Sequence, residues 1–290
     1  MKGEGNPACL SRSFASTMAI TSNPGEYEKE QIRAIEEWRM EKPSVVGTAL
    51  SCVMFPISML IQAVVPQSAI RDAIGGTSSV AEWLADEGDV TRKGGVSEID
   101  ELKKKDLMLS DKLANEIHNW AIGVASAEGV GSGMWGIYGL VLDIPFIITF
   151  ALRTIHKIGL CYGYKNKDEK GRYFVLALLS AAGANTASEK ADAVKILRAI
   201  DVMIAKQTLK TVAEKAAQRQ LVKESVLIGM KSLGRQLGVN ITERKVLQAI
   251  PAIGAAVGGS VNAWFINDVG WAARRAFQER WLIENNLIEL

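Results

Sequence analysis

Apolar residues recur along this chain at helical three-and-four spacing, and short polar, glycine or proline interruptions divide it into segments. Asn23-Pro24-Gly25 supplies a start signal, and Tyr27, Ile35 and Trp38 with the acids between them predict a helix from Tyr27 to Met40. Lys42-Pro43 ends it. Pro43 to Ile70 carries no charge, yet Pro56 and Pro66 interrupt it, so one straight helix is excluded. A kinked helix or two short ones remain, forming either a buried hairpin or a membrane-inserted one. From Gly75 to Gly95 the residues are those of turns and loops around a short piece, Val80 to Ala85, which predicts an exposed excursion. Helical periodicity resumes from Glu98 to Trp120 through Ile99, Leu102, Leu109, Leu113, Ile117 and Trp120, with Lys103, Lys104 and Lys105 on a wet face.

Two glycine-rich stretches stand out from this background. Gly129 to Leu152 holds a single charge, Asp143, and Val246 to Asn267 holds none. The first does not build a phosphate loop: Gly129-x-Gly131 lacks the third glycine of a dinucleotide fingerprint, no strand precedes it, and no Gly-Lys-Ser/Thr follows. Small residues four apart, Gly129 with Gly133 and Gly254 with Gly258, instead give helix faces that let another backbone approach. The fold expected is all-α, a multi-helix bundle in which two glycine-rich apolar helical hairpins pack together. Residues 1–25 read as a disordered leader, 26–285 as one helical domain, and 286–290 as a C-terminal tail.

Several polar residues in apolar settings are candidate contact sites. Asp143 precedes Ile144-Pro145, so it reads as the cap of a helix starting there, with Pro145 in an early position that needs no amide. Alternatively it pairs with Arg153 or Lys157, or acts as an acid or base in an apolar cavity. Asp268 has the same ambiguity, with Arg274 and Arg275 near enough to neutralise it. His156, between Arg153 and Lys157, reads as a polar-rim histidine. Gly163 in Tyr162-Gly163-Tyr164 closes that helix.

Composition narrows the classes. At 48% hydrophobic and 23% charged residues the chain matches soluble domains rather than polytopic membrane proteins. A net charge of +2, without a basic and aromatic stripe, gives no reason to expect nucleic acid. Three scattered cysteines, Cys9, Cys52 and Cys161, read as reduced thiols of a cytoplasmic protein, and two histidines provide no zinc ligand set. No cofactor or metal is expected. Charge is distributed unevenly, however: Lys190 to Arg235 contains ten bases against four acids, a local +6 on an amphipathic pattern. Lys206, Lys210, Lys215 and Arg219 in it are candidate contacts for anionic lipid, the other reading being a core helix with a lysine-rich wet face.

Tyr27-Glu28 with Trp38, the glycine run into Leu140-x-x-Asp143-x-Pro145, Arg153-x-x-His156-x-Ile158-Gly159 with Tyr162-Gly163, and Pro251-x-Ile253-Gly254-x-x-x-Gly258-Gly259-x-x-Asn262 with Ala272-Ala273, Phe277 and Arg280 together resemble the EcsC family. The likeness runs from about Tyr27 to Leu282. That family is named after a protein encoded beside a bacterial ABC transporter. The resemblance implies an all-helical protein that is cytoplasmic or membrane-associated, with a membrane transport complex as a further partner, and it brings no catalytic set. Asp143, Asn262 and Asp268 are where the family pattern and the physical reading coincide. The function expected is that of an accessory protein, peripheral or partly inserted at the inner face of the cell membrane, binding anionic lipid or a membrane partner without chemistry of its own. The alternatives are a soluble carrier of a lipid-like ligand and a hydrolase using Asp143 or His156.

Overall fold

The computed structural model describes residues 18, 20, 22–42, 87–132, 136–208, 236–237, 239–241 and 260–289. The segment Pro43–Ile70, the piece Val80–Ala85, Cys9, Cys52, Gly254 and Gly258 lie outside them, as do Lys210, Lys215 and Arg219. The protein is all-α, and no strand forms among the described residues. Its helices are α1 (Glu26–Met40), α2 (Glu87–Gly94), a 3-10 turn (Ile99–Lys104), α3 (Leu107–Ser132), α4 (Gly136–Cys161), α5 (Glu169–Ala182), α6 (Ala187–Thr208) and α7 (Ser260–Glu284).

Local chemistry sets most helix boundaries. Gly25 opens α1 in extended backbone, and Glu41 closes it with its amide on the Glu37 carbonyl. The helix predicted over Glu98–Trp120 divides because Asp106 accepts the Met108 amide at 3.0 Å, starting α3 afresh after the 3-10 turn. Arg92-Lys93-Gly94, expected in a loop, forms the last turn of α2, and Gly95 at φ +62° supplies the reversal. Gly163, at φ +90°, ends α4 as expected, with its amide on the Leu160 carbonyl and that of Tyr164 on the Gly159 carbonyl. Lys103 packs so closely against it that any side chain there would strike the lysine backbone at 2.8 Å.

The Asp143 expectation is corrected. Helix α4 begins at Gly136, so Asp143 and Pro145 lie inside it rather than at its start. Proline here removes only the amide that would reach back to the Val141 carbonyl, and the helix continues through the gap.

Three long helices form the body, and specific contacts fix their register. Asp111, Asn115 and His118 of α3 meet Gln278, Arg274 and Gly270 of α7, so these two run antiparallel. Asp111 and Trp120 of α3 meet Tyr162 and Phe150 of α4, making α3–α4 an antiparallel hairpin. Helix α7 lies against both, parallel to α4, with Phe277 beside Gly159, where an added methyl would meet the Phe277 ring at 2.8 Å. At Gly270 an added methyl would collide with the His118 ring, so this glycine permits the close α3–α7 approach. The buried stripe of α3 is Leu107, Asp111, Ala114, His118, Ala121 and Ala125, one step around from the series ending at Trp120 that periodicity suggested.

Part of the expected leader is ordered. The Met18 amide donates to Glu36 at 3.1 Å, Ile20 bridges to Ile288, and the Ser22 hydroxyl donates to the Asn286 carbonyl at 3.0 Å. Ile288, in the expected tail, is buried.

Candidate functional site

A polar hub ties α1, α3, α4 and α7 together. Asp111 is 3% exposed and accepts from Tyr27 at 2.6 Å, from Gln278 at 2.7 Å and from Tyr162. The Arg275 guanidinium donates to Gln31 and Gln278, each at 2.9 Å, and its field reaches Asp111 through that amide. Burial, followed by the hydrogen bond to Asp111, raises the Tyr27 phenol. Burial and the same carboxylate raise Tyr162. These donors therefore stay protonated and keep the carboxylate satisfied. No sequence signal was used for Asp111, although it and His118 interrupt an otherwise small and apolar four-three stripe.

Next to the hub, α1, the α5–α6 turn and α7 enclose a cleft of about 750 Å³. Trp38 and Trp271 line it, with Ala34, Ala181 and Ala182 as apolar wall. Lys190, Asp268 and Arg275 supply charge, and Glu37, Glu41 and Lys42 lie at its exposed rim. Among the described residues, the sequence candidate that lines this cleft is Asp268. Arg274 and Arg275 do not neutralise it: their hydrogen bonds go to the neutral amides of Asn115, Gln31 and Gln278.

The other candidates lie elsewhere. Arg153 stands 5.1 Å over the Trp120 ring. His156 is buried, not at a rim; burial alone pushes its pKa down to about 4, so it is neutral, and its Nδ1 has no hydrogen-bond partner. Asn262 is buried in the first turn of α7, and the α4–α7 register puts it level with Asp143. Lys206 belongs to α6. Within the described part of that basic segment Lys190 is buried, and Lys195 pairs with Asp192 at 3.0 Å. Asp201 is buried as well, and burial raises its carboxyl well above the usual range, with Glu279 adding to the shift. Among the described residues no cluster of His, Cys, Asp and Glu could hold a metal.

A second feature emerges from the register of the long helices. Extended from the hub, it brings Ala125 of α3, Phe146 of α4 and Trp264 of α7 to one height. Phe146 is 36% exposed and Trp264 42%; Trp120 at 49% and Trp271 at 37% lie about 7 to 10 Å further down the bundle. These four rings form a collar. Arg153 stands over Trp120, while Arg274 and Arg275 lie 4.5 and 5.1 Å over Trp271. Beyond the collar, towards the α3–α4 turn and the start of α7, the sequence is nearly free of charge: 126–145 contains only Glu128 and Asp143, and 246–263 none. The described ends next to these stretches, Ser132 of α3, Gly136 of α4 and Ser260 of α7, stand at the same pole of the bundle.

Comparison with known proteins agrees with the sequence resemblance. The EcsC protein family matches residues 29–282. This chain belongs to the EcsC family. Among relatives, the uncharacterised protein YdbA of Bacillus subtilis is 23% identical over 270 residues, covering 88% of this chain and 93% of the relative. Protein EcsC of Bacillus subtilis is 27% identical over 189 residues, covering 65% of this chain and 66% of the relative. No solved structure matches it significantly. The EcsC match takes in the hub apart from Tyr27, and all four collar rings.

Proposed function

We propose that this EcsC-family protein is a membrane-associated accessory protein that seats the collar pole of its bundle in the interface of the inner leaflet and has no chemistry of its own. The observation that carries the reading is that four exposed aromatic rings fall within a band of about 10 Å along the bundle, with Phe146 and Trp264 level at its outer edge and sequence almost without charge on either side of the helix ends beyond it. Tryptophan and phenylalanine at one level are suited to the headgroup zone, where an amphipathic ring is better placed than in water or hydrocarbon. Arginines stacked on Trp120 and Trp271, about 7 to 10 Å further down, add attraction for anionic lipid headgroups. No helix among the described residues is long and apolar enough to cross a membrane, which fits seating better than spanning. The buried free thiol of Cys161 supports a reducing compartment. A hydrolase centred on His156 has little support, because that imidazole is buried and does not line the cleft.

Flotation with phosphatidylglycerol vesicles tests the reading. The native protein should rise with them, and raised salt should weaken the association as the cations are screened. Combined Trp120→Ala, Phe146→Ala and Trp264→Ala should abolish flotation while the protein remains folded. Flotation of this variant at the native level would remove the collar from the explanation.

A further inference from the structure

Among the described residues no carboxylate is bonded directly to two cations of the cleft, Lys190 and Arg275. Lys190 is 7% exposed; its ammonium donates to the Glu41 main-chain oxygen at 3.1 Å and lies 4.9 Å over the Trp38 ring. Two of its three donors remain unused. Asp268 and Glu41 act on it only through space, and burial outweighs them, lowering its pKa. Arg275 is held by the neutral amides of Gln31 and Gln278 and by the Trp271 face, and burial lowers it too. Buried cations are ordinarily ion-paired; these two share one cleft, and among the described residues Asp268, Glu41 and Asp111 reach them only through space, which leaves their free donors open to a directly bonded anion. Asn267 and Asp268 also line the cleft and Glu37, Glu41 and Lys42 stand at its rim; its apolar wall is small alanines from α1, α5 and the α5–α6 turn, between two indoles. A volume of about 750 Å³ lies within the range of small-molecule sites.

We propose that this cleft binds an amphipathic anion as a free monomer, its acidic head on Lys190 and Arg275 and its hydrocarbon chain along the alanine and tryptophan walls. This goes beyond seating on a membrane and turns on Lys190 and Trp38, which the collar lacks, although Trp271 and Arg275 belong to both. Trp38 and Trp271 make the site readable, because a brominated chain in contact with an indole quenches its fluorescence.

The test titrates 9,10-dibromostearate, below its aggregation threshold and without detergent, into the full chain. Saturable quenching is expected, and Trp38→Phe should remove a large share of it. Lys190→Gln should weaken binding about tenfold or more, the usual scale for losing a charge-assisted hydrogen bond, while Lys190→Arg retains it. If Lys190→Gln fails to fold, Lys190→Met reads the same loss, since its stem still covers Trp38. The brominated alcohol of equal length, which lacks the charge, should bind far more weakly, and inorganic phosphate, which lacks the chain, should compete only poorly. Equal binding of acid and alcohol, or undiminished binding by both Lys190→Gln and Lys190→Met, overturns the proposal. Quenching by vesicles of brominated phospholipid but not by the monomer also overturns it and leaves the collar intact. Loss of flotation with retained monomer quenching overturns the collar and leaves the cleft.

Discussion

At the hub, a buried carboxylate is answered by three donors from three other helices; at the collar, only some ten to twenty ångströms along the same bundle by helical rise, four large rings face outward. The hub is specified by the protein itself: removing any partner leaves a buried polar group unmatched. The collar is not, because its rings gain little from the fold in the positions they occupy. A region that stabilises the fold and a region that uses it can thus share the same helices, and the difference lies in which groups remain unanswered.

The comparison breaks most readily at Asp111. Asp111→Ala leaves Tyr27, Tyr162 and Gln278 without their acceptor and should cost about 3 to 5 kcal/mol in urea unfolding. A loss under 1 kcal/mol would mean the network is ornamental. Gly270→Ala is expected to cost about 1 to 3 kcal/mol, because the new methyl meets the His118 ring on a helix that has little room to retreat. An unchanged melting temperature would show that the α3–α7 approach is looser than described.

His156 offers a smaller effect, with pH as the variable. Its folded pKa is depressed to about 4, whereas in the unfolded chain it protonates near 6.5. The unfolded state therefore takes up its proton first as pH falls, so stability is complete above about 6.5 and declines towards 4. From pH 7 to 5.5 the loss from this group should be about 1 kcal/mol. His118, also pushed down to about 4, first by burial and then by Arg274, adds in the same direction. His156→Leu should flatten the profile of urea midpoints across that window; an unaltered slope would mean that His156 is not the source. At the bottom of the scale, the collar variants should each shift stability by about 1 kcal/mol, as rings that are about half buried do, even where they abolish flotation.

Much of the fold was legible because helical spacing and glycine chemistry are local. The bounds of α1 and the closure at Gly163 follow from residues adjacent in sequence. Asp143 was misplaced because a local rule, acid before proline, suits a helix start, whereas the helix already runs from Gly136 and tolerates the proline. Lys190 counted towards a wet basic face, since sequence alone gives its charge and not its burial. Asp111 was hidden because a lone acid on a helix usually faces water, and only its donors on other helices make it a core residue. The collar is hardest to read of all. Phe146 and Trp264 are far apart in the chain, and their common height, with Trp120 about 7 Å below, exists only once three helices are in register.

The pairing of Ile20 with Ile288 has a practical corollary. Helix α7 carries the chain some 37 Å from Ser260 to Glu284, so both strand partners meet at the end remote from the rings. A dye attached at Ser22 or Glu289, both exposed, would sit on that far side, and its energy transfer to a lipid-borne acceptor would report which way up the molecule stands.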